Sequence, residues 1–341
     1  MGNHDLWVDI SNTPQVFFFS SILKSIQGKY SIFITARSRG EIEALLRMFS
    51  MNSNVFGRDY RNSVLKTLSI GTRSIQLLYK VPKFDIALSF ENPMPILTAK
   101  ARRKKVILFL DNDVKLDTSN SGIQNLETQI KKLSDIVVVP KVSYEVFQKE
   151  YKRSKVLTYD GYKEHIYIAE YDPDEEFLAK NDLDQYVVLR PEAMASLYVN
   201  GNKSLVSMII ERLEQEEIKV VYLPRDPGDE KLVKGYRNVY VPPYPLNGLD
   251  LAYYAKAVLT GSGTMAREAA ILGTPAVSFF PNETLLSVDQ DLITKGKMIH
   301  TRDIDEISTY ITTNWDKEKK AEYQESKCVK NQVLQLLDNI I

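Results

Sequence analysis

The sequence has few of the side chains that build disulfide frameworks and metal centres. Among 341 residues there is one cysteine, Cys328, so neither an internal disulfide nor a cysteine-based zinc site can form. The three histidines, His4, His165 and His300, are far apart and show no spacing typical of metal ligands. We therefore expect no metal, no cofactor and a reducing, cytoplasmic environment.

The chain also lacks an excess of charge and a long hydrophobic run. Lys and Arg total 44, as do Asp and Glu, so the formal net charge is zero. This balance argues against a nucleic-acid partner, which normally requires a basic face. No apolar run reaches the roughly 20 residues of a membrane span, and the start MGNHDLWVDI lacks the profile of a signal peptide.

Short apolar segments alternate with helical patterns in two series. The predicted strands are 6–10, 30–35, 54–56, 86–89, 106–110 and 136–139, then 186–189, 220–223, 239–241, 257–260 and 276–280. Repeated strand–helix–strand order predicts an α/β fold with parallel, doubly wound sheets. Residues 161–181, rich in acids and containing Gly161 and Pro173, interrupt the rhythm. We predict an N-terminal domain over 1–165, a second domain over 166–318 and a C-terminal helix within 319–341.

Open parallel sheets bind ligands at the carboxyl ends of their strands. Unusual polar side chains follow the predicted strands at these positions: Asp9, Asn12, Glu91, Asp111, Asp113, Arg190, Glu192 and Arg225. This arrangement predicts that the functional groups lie at one edge of each sheet.

The segment TGSGTMAREAAILGTP joins a predicted strand to a helix predicted over 265–272. Gly261 and Gly263 let backbone N–H groups approach a ligand, and the helix N-terminus adds further donors. A phosphate or diphosphate fits such a site, and Glu268, one turn inside the helix, can accept hydrogen bonds from a ribose. The alternative is an N-capped helix with Glu268 as an acid that complements the helix dipole.

This segment resembles the nucleotide-sugar loop of the GT-B superfamily, which includes glycosyltransferases and UDP-N-acetylglucosamine 2-epimerases. The matching residues are Ser262, Gly263, Glu268, Gly273 and Pro275, with Thr264 in place of a second glycine. The motifs WVDISNTPQVFFF, YDGYKE, VVLRPEA, YLPR, NGLDLAYYA and LLSVDQDLI resemble the DUF354 family of that superfamily. The resemblance implies two Rossmann-like domains with an interdomain cleft, and a final helix that packs back on the first domain.

The resemblance also implies residue roles in binding a nucleotide-diphosphate sugar, with UDP the expected nucleotide. Ser262, Gly263 and Thr264 would contact the diphosphate, Glu268 the ribose, Arg190 and Arg225 the phosphates, and Asp289 the sugar, while Asn12 would face the cleft. Each has a structural alternative. Arg190 could pair with Glu192 and Arg225 with Asp226, and Asp289 could be the first-turn acid of a helix. Arg267 is predicted to be a surface charge.

Carboxylates of the first domain are the candidates for proton transfer. Asp111, Glu91 and Asp9 follow apolar strands, where partial burial can tune a carboxylate toward the basicity that a general base needs. Their alternative role is to cap helices or turns. Related sequences often have histidine where Gln15 stands, and glutamine cannot act as a base at neutral pH. Asp111-Asn112-Asp113 also resembles the metal-binding Asp-x-Asp motif of a different glycosyltransferase fold. The resemblance to the GT-B superfamily implies no metal at the phosphates.

The leading interpretation is a glycosyltransferase that moves a sugar from a nucleotide-diphosphate sugar to an unidentified glycan or lipid-linked acceptor. A nucleotide-sugar 2-epimerase and a non-catalytic nucleotide-sugar-binding protein remain alternatives. The run VFFFSSIL, residues 16–23, is predicted to be core, with a lipid-facing patch and peripheral contact with the inner membrane face as its alternative. The sequence carries no signal of an oligomeric state.

Overall fold

The chain folds into two compact units, of which one combines two separate stretches of the sequence and the other is a single stretch. A computed structural model describes residues 3–39, 41–58, 63–117, 122–192, 204–225, 228–282 and 284–341. Unit 1 comprises Met1–Ala169 and Glu325–Ile341, and unit 2 comprises Glu170–Gln324. The division after residue 169 lies inside the segment 161–181 that interrupts the sequence pattern, four residues beyond the predicted boundary.

Unit 1 is built on a parallel sheet. Its described strands are β1 (Asn3–Ile10), β2 (Ile32–Ser38), β3 (Asn54–Arg58), β4 (Lys83–Phe90), β5 (Lys105–Phe109), β6 (Ile136–Pro140) and β7 (Lys155–Tyr159). They are ordered β3-β2-β1-β4-β5-β6-β7, and every neighbouring pair is parallel. Helices cover both faces, so β5 and β6 are almost wholly buried and read as continuous apolar runs.

The helices of unit 1 connect these strands. Those described are α1 (Thr13–Ile26), α2 (Ile42–Met48), α3 (Ser63–Lys80), α4 (Met94–Ala101), α5 (Val114–Asp117), α6 (Gly122–Lys131), α7 (Tyr144–Glu150) and α8 (Lys163–Ile168), with a 3₁₀ turn at Lys141–Ser143. Val16, Phe18, Phe19 and Ile22 of α1 are fully buried in the core. The lipid-facing alternative for residues 16–23 is therefore wrong, because this helix buries its apolar side against the sheet.

Unit 2 repeats the architecture with shorter strands. These are β8 (Val187–Arg190), β9 (Val220–Tyr222), β10 (Val239–Tyr240), β11 (Ala257–Thr260), β12 (Ala276–Ser278) and β13 (Ile299–His300). They are parallel in the order β10-β9-β8-β11-β12-β13. Its helices are α9 (Phe177–Lys180), α10 (Val206–Gln215), α11 (Gly248–Tyr254), α12 (Gly263–Ile271), α13 (Ser287–Thr294) and α14 (Ile304–Thr313), with a 3₁₀ turn at Asp229–Val233.

The last helix, α15 (Tyr323–Asp338), returns the chain to unit 1. Val329, Val333 and Leu337 recur every four residues on one face and are buried in the same apolar cluster as β1 and α1. The core of unit 1 therefore combines two distant parts of the sequence. Among the described helices, none has both the length and the hydropathy to cross a bilayer.

Candidate functional site

In unit 2, the turn from β11 into α12 is held tightly against the end of β8. The backbone N–H of Gly261 donates to the carbonyl of Arg190 at 3.1 Å, and Ser262 N–H donates to Thr260 Oγ1 at 2.9 Å. A Cβ atom on Gly261 would lie 2.5 Å from the Cα of Glu192, so only glycine allows this approach. The predicted loop is thus rigidly placed at the carboxyl edge of the sheet.

The helix α12 begins at Gly263, two residues earlier than the sequence pattern predicted. Its first bond of the ordinary helical type runs from Ala266 N–H to the Ser262 carbonyl. The N–H groups of Gly263, Thr264 and Met265 precede that bond and point out of the helix start, as in any helix N-terminus. They form the kind of donor set that binds phosphate oxygens.

Arg190 ends β8 directly beside this loop, in register with Thr260 of β11. Its Nε atom is buried and has no hydrogen-bond partner among the described residues. The predicted alternative pairing with Glu192 is not formed. Glu192 instead accepts from Ser204 Oγ at 2.8 Å and from Leu205 N–H at 3.1 Å. A buried guanidinium N–H without an acceptor is costly, so this site is suited to an anionic ligand.

Glu268 and Arg225, the two other residues of unit 2 that are predicted to bind the nucleotide, are both half-buried. Glu268 is on the second turn of α12. The backbone N–H of Arg225 donates to Asp229 Oδ2 at 2.8 Å, which fixes the chain after β9. Asp226, the predicted alternative partner of Arg225, lies outside the described residues.

The prediction that Arg267 is a surface charge is wrong. Its side chain is only 2% exposed, and its Nη1 atom lies 2.7 Å from Asp289 Oδ1. A Cβ atom on Gly263 would lie 2.8 Å from Arg267 Nη1 and 3.3 Å from Asp289 Oδ2. The ion pair therefore packs directly against the backbone of the loop. Asp289 is indeed in the first turn of α13, and its contact with a sugar stays a prediction.

His300 is a functional candidate that sequence reasoning missed. It ends β13, a strand of two residues that gives too short an apolar run to be recognised. Its Nδ1 atom lies 3.4 Å from Ser278 Oγ. Burial lowers the pKa of His300, and the charge of Arg302 acts in the same direction, against opposing effects from Ser278 and Asp289. The environment of His300 thus favours the neutral imidazole over the charged form.

In unit 1, Asp9 is saturated by donors. Its carboxylate, fully buried, accepts from both terminal nitrogens of Arg73 at 2.6 and 3.0 Å, from Thr35 Oγ1 at 2.6 Å and from Asn92 Nδ2 at 2.9 Å. A carboxylate has about four acceptor positions, and these four donors use them. The geometry therefore argues against the predicted catalytic role of Asp9 and favours a structural one.

Glu91 has an unusual backbone at the end of β4, with a φ of 53°. Its Oε1 atom accepts from the N–H groups of Asp111 and Asn112, both at 3.2 Å, and its Oε2 atom lies 2.7 Å from Lys131 Nζ. Burial alone lowers the pKa of Lys131, but the carboxylates of Glu91 and Glu127 raise it overall. Positive φ at a non-glycine residue is strained and is common at functional sites.

Asp111 is brought together with Lys163, a residue that the sequence offered only within the motif YDGYKE. The two side chains form a short ion pair, both nearly buried. Lys163 Nζ also lies 3.1 Å from Glu164 Oε1 and 5.8 Å from the centre of the Phe90 ring. The structure thus places an ammonium group between two carboxylates at the carboxyl ends of β5 and β7. Asp113, two residues after Asp111 in the sequence, is also buried.

Gln15 anchors the loop between β1 and α1. Its Oε1 atom accepts from the N–H groups of Ser11 and Asn12 at 2.6 and 3.1 Å, and its Nε2 atom donates to the Phe90 carbonyl at 2.6 Å. Only 1% of its surface is exposed. The Asn12 side chain in turn accepts from Arg39 Nη1 at 2.6 Å. The hydrogen bonds of Gln15 therefore give this residue a structural role that does not depend on proton transfer at the loop.

Two parallel α/β units of this kind, with a glycine-containing turn at a helix start in the second, are typical of the GT-B type of fold. The particular family follows from comparison with known sequences. The chain belongs to the DUF354 family, described as proteins of unknown function, whose model matches residues 4–337. It is 31% identical over 332 residues to an uncharacterized protein of Methanocaldococcus jannaschii, and 93% of each chain is covered.

Solved structures agree with the predicted fold. The UDP-N-acetylglucosamine 2-epimerase of Rickettsia bellii is similar with a TM-score of 0.72 at 13% identity, covering 98% of this chain and 96% of that one. The M. jannaschii UDP-GlcNAc 2-epimerase, solved with UDP-GlcNAc and UDP, has a TM-score of 0.71 at 15% identity and 98% and 99% coverage. The glycotransferase of kitacinnamycin has a TM-score of 0.58 at 10% identity, with 99% of each chain covered. The GT-B prediction is confirmed.

Proposed function

We propose that this protein is an enzyme acting on a nucleoside-diphosphate sugar, whose nucleotide binds to unit 2. The observation that carries the proposal is Arg190, whose buried Nε lacks an acceptor among the described residues and whose carbonyl is bonded to the loop before α12. A diphosphate would supply the missing acceptor and would meet the N–H groups at the start of α12. The fold neighbours that bind UDP and UDP-GlcNAc support the same ligand class.

Each candidate binding residue of unit 2 then has a proposed role. Ser262, Gly263 and Thr264 bind the diphosphate through the helix start, and Arg190 binds a phosphate oxygen. Glu268, half-exposed on the second turn of α12, accepts the ribose hydroxyl hydrogens. Arg225 and Asp289 complete the ligand set, toward the phosphates and the sugar respectively.

For the reaction, we propose transfer of the sugar to a hydroxyl acceptor. The acceptor oxygen attacks the anomeric carbon while its proton passes to the Asp111 carboxylate. The bond from the anomeric carbon to the diphosphate oxygen breaks, and its electron pair leaves with the diphosphate. Arg190 and the helix N–H groups stabilise the charge that develops on this leaving group. Lys163 positions Asp111, and Glu91 holds the backbone of Asp111 and Asn112 in place.

A 2-epimerase is the second candidate, favoured by the similarity of almost the whole chain to enzymes of that name. Such an enzyme inverts the configuration at C2 of the sugar and must remove and replace the C2 hydrogen. Asp111, Lys163 and Glu164 could carry that proton. Unlike a transferase, an epimerase needs no acceptor.

The first experiment measures nucleotide binding by calorimetry with UDP, GDP, CDP and dTDP. We expect one of them to bind, and Glu268→Ala to weaken its affinity at least about tenfold, because two hydrogen bonds to a carboxylate are lost. Glu318→Ala is the matched control, since Glu318 is 84% exposed on the same unit. If no nucleotide binds, or if Glu268→Ala binds as tightly as the native protein, the site assignment fails.

A second experiment separates the chemistries. Each nucleotide sugar that binds is incubated in D₂O, first alone and then with glycan and lipid-linked acceptors. Deuterium at C2 without any acceptor identifies an epimerase, whereas release of the nucleoside diphosphate only with an acceptor identifies a transferase. Asp111→Asn should slow either reaction by about a hundredfold or more, the usual size of a general-base effect. Binding without turnover under every condition would leave a non-catalytic binding protein.

A further inference from the structure

The zero net charge of the chain hides a large difference between its two units. Unit 1 contains 27 Lys and Arg residues and 18 Asp and Glu residues, a formal charge of +9. Unit 2 contains 17 and 26 of these residues, a formal charge of −9. The two values sum to the zero of the whole chain. A partner that contacts unit 1 alone therefore meets a unit with a large positive net charge.

Much of this charge lies at the amino ends of the strands of unit 1, the edge opposite to Glu91 and Asp111. Three turns lead into β4, β5 and β7, and together they hold ten Lys and Arg residues and no acid. We define these turns, residues 80–83, 100–105 and 152–155, as the basic edge. Parallel strands about 4.8 Å apart bring the turns within roughly 15 Å of one another.

Side-chain contacts fix the turns of the basic edge relative to one another. Arg102 donates from Nε to the Leu78 carbonyl and from Nη1 to the Pro82 carbonyl, which joins the first two turns. Lys100 lies 2.6 Å from Asp135, at the turn before β6, and Ser154 Oγ donates to the carbonyl of Ser134 in that turn. The basic side chains therefore project from one preformed surface.

Several of these charges are available to a partner. Lys100 and Lys104 are paired with Asp135 and Asp85. Lys83, Arg103 and Arg153 are exposed, and none of them forms an ion pair with a described residue. Solvated cations that form no ion pair are drawn to anionic surfaces.

Apolar side chains are exposed beside these cations. Tyr79, which precedes the first turn of the basic edge, is 76% exposed, and Leu133, in the turn before β6, is 48% exposed. Aromatic and aliphatic groups among lysines and arginines are typical of surfaces that lie on a lipid headgroup layer, where the charge meets phosphate and the ring enters the interface. A nucleic-acid surface would need the charge but would gain little from Leu133.

We propose that the basic edge of unit 1 docks this protein on membranes that contain anionic lipids. This surface is distinct from the buried α1 segment, and the inference does not rest on the nucleotide-sugar function. Arg103, Lys83 and Arg153 supply the attraction, and Tyr79 and Leu133 insert at the headgroup level. Unit 2, with its opposite net charge, is not attracted to the same lipids.

Flotation with vesicles tests this assignment. The native protein should float with vesicles of equal parts phosphatidylglycerol and phosphatidylcholine at low salt, and not with phosphatidylcholine alone. Binding should disappear at about 1 M salt, where the screening length falls to about 3 Å. If the native protein does not bind the anionic vesicles at low salt, the proposal is wrong.

A charge-reversed variant identifies the surface. Lys83→Glu with Arg103→Glu and Arg153→Glu should reduce vesicle affinity by more than a hundredfold, at about fivefold for each charge removed and more for each reversal. The control reverses three exposed cations of unit 2, Lys231, Lys234 and Arg237, and should not weaken binding. Equal binding of the two triple variants would overturn the assignment of the basic edge.

Two further results complete the test. Tyr79→Ala, a single change at an exposed side chain, should weaken vesicle binding severalfold, and it remains informative if the triple variant does not fold. Single-stranded RNA should not displace the protein from anionic vesicles at equal charge. If RNA displaces it and the basic-edge variant fails to bind RNA, the surface serves a nucleic acid and the membrane proposal is overturned.

Discussion

The buried pair of Arg267 and Asp289 gives the sharpest stability prediction. The two side chains are 2% and 6% exposed, and their charged atoms are 2.7 Å apart. Replacing Arg267 by leucine removes the cation and leaves the Asp289 carboxylate buried without it. Breaking such a pair from one side costs about 3–5 kcal/mol, because the remaining charge has lost its compensation but cannot reach water.

That cost is large enough to be measured without ambiguity. For a unit of this size, each kcal/mol lowers the melting temperature by about 2–4 °C, so Arg267→Leu should lower it by roughly 6–20 °C. Scanning calorimetry on the native protein and the variant measures the shift. Arg212→Leu is the control, because Arg212 belongs to an exposed set of ion pairs on α10 that is worth little.

A double variant tests the reasoning itself. If the penalty comes from an uncompensated charge, Arg267→Leu combined with Asp289→Leu should be more stable than Arg267→Leu alone, since both charges are then gone. A cost below about 1 kcal/mol for Arg267→Leu would show that the pair is effectively solvated. Additive costs in the double variant would show that the two side chains do not interact energetically, and either result refutes the account.

Two other predictions concern polar groups in each unit. Gln15→Leu should destabilise the protein by about 2–3 kcal/mol in urea unfolding, because the N–H groups of the loop before α1 and the Phe90 carbonyl lose their partner, whereas Gln27→Leu at the exposed end of α1 should change little. A cost equal to that of the control would contradict the anchoring role. The lowered pKa of His300 means that the unfolded chain binds a proton more readily than the folded one, so its contribution to stability is complete above about pH 6.5 and is lost as the pH falls below that value. His300→Gln should therefore lose less stability than the native protein between about pH 7.5 and about pH 5.5, and an equal loss in both would exclude His300 as the cause.

The fold was predictable because its signals are local and repeated. Strands such as β5 and β6 are uninterrupted apolar runs, since they are buried on both faces of a parallel sheet. Elements with weak local sequence signals are not predicted, or are predicted with different bounds. Strand β13 has only two residues. Helix α12 begins at Gly263, before its predicted start, because the low helix propensity of glycine hides this first turn in the sequence. In the folded chain, the hydrogen bond from Gly261 to Arg190 fixes the preceding loop.

The candidate site was predictable in its positions but not in its partnerships. The rule that ligands lie beyond the carboxyl ends of strands located Asp111, Glu91 and Arg190 correctly at the sheet edges. Which cation meets which carboxylate depends on residues far apart in sequence. The pair between Lys163 and Asp111 joins positions 52 residues apart, and that between Arg73 and Asp9 joins positions 64 apart. No spacing rule encodes such contacts, so the sequence does not reveal that Asp9 pairs with Arg73 or that Arg267 is buried against Asp289.

The return of α15 to unit 1 has a consequence for how the chain is made. Val329, Val333 and Leu337 belong to the same buried cluster as β1 and α1, yet they are synthesised more than 300 residues later. During translation, unit 2 can complete its own sheet while unit 1 still exposes the apolar surface that α15 will cover. The first unit to leave the ribosome is thus the last to close its core, and a nascent chain of this protein is most exposed to chaperones just before its final helix emerges.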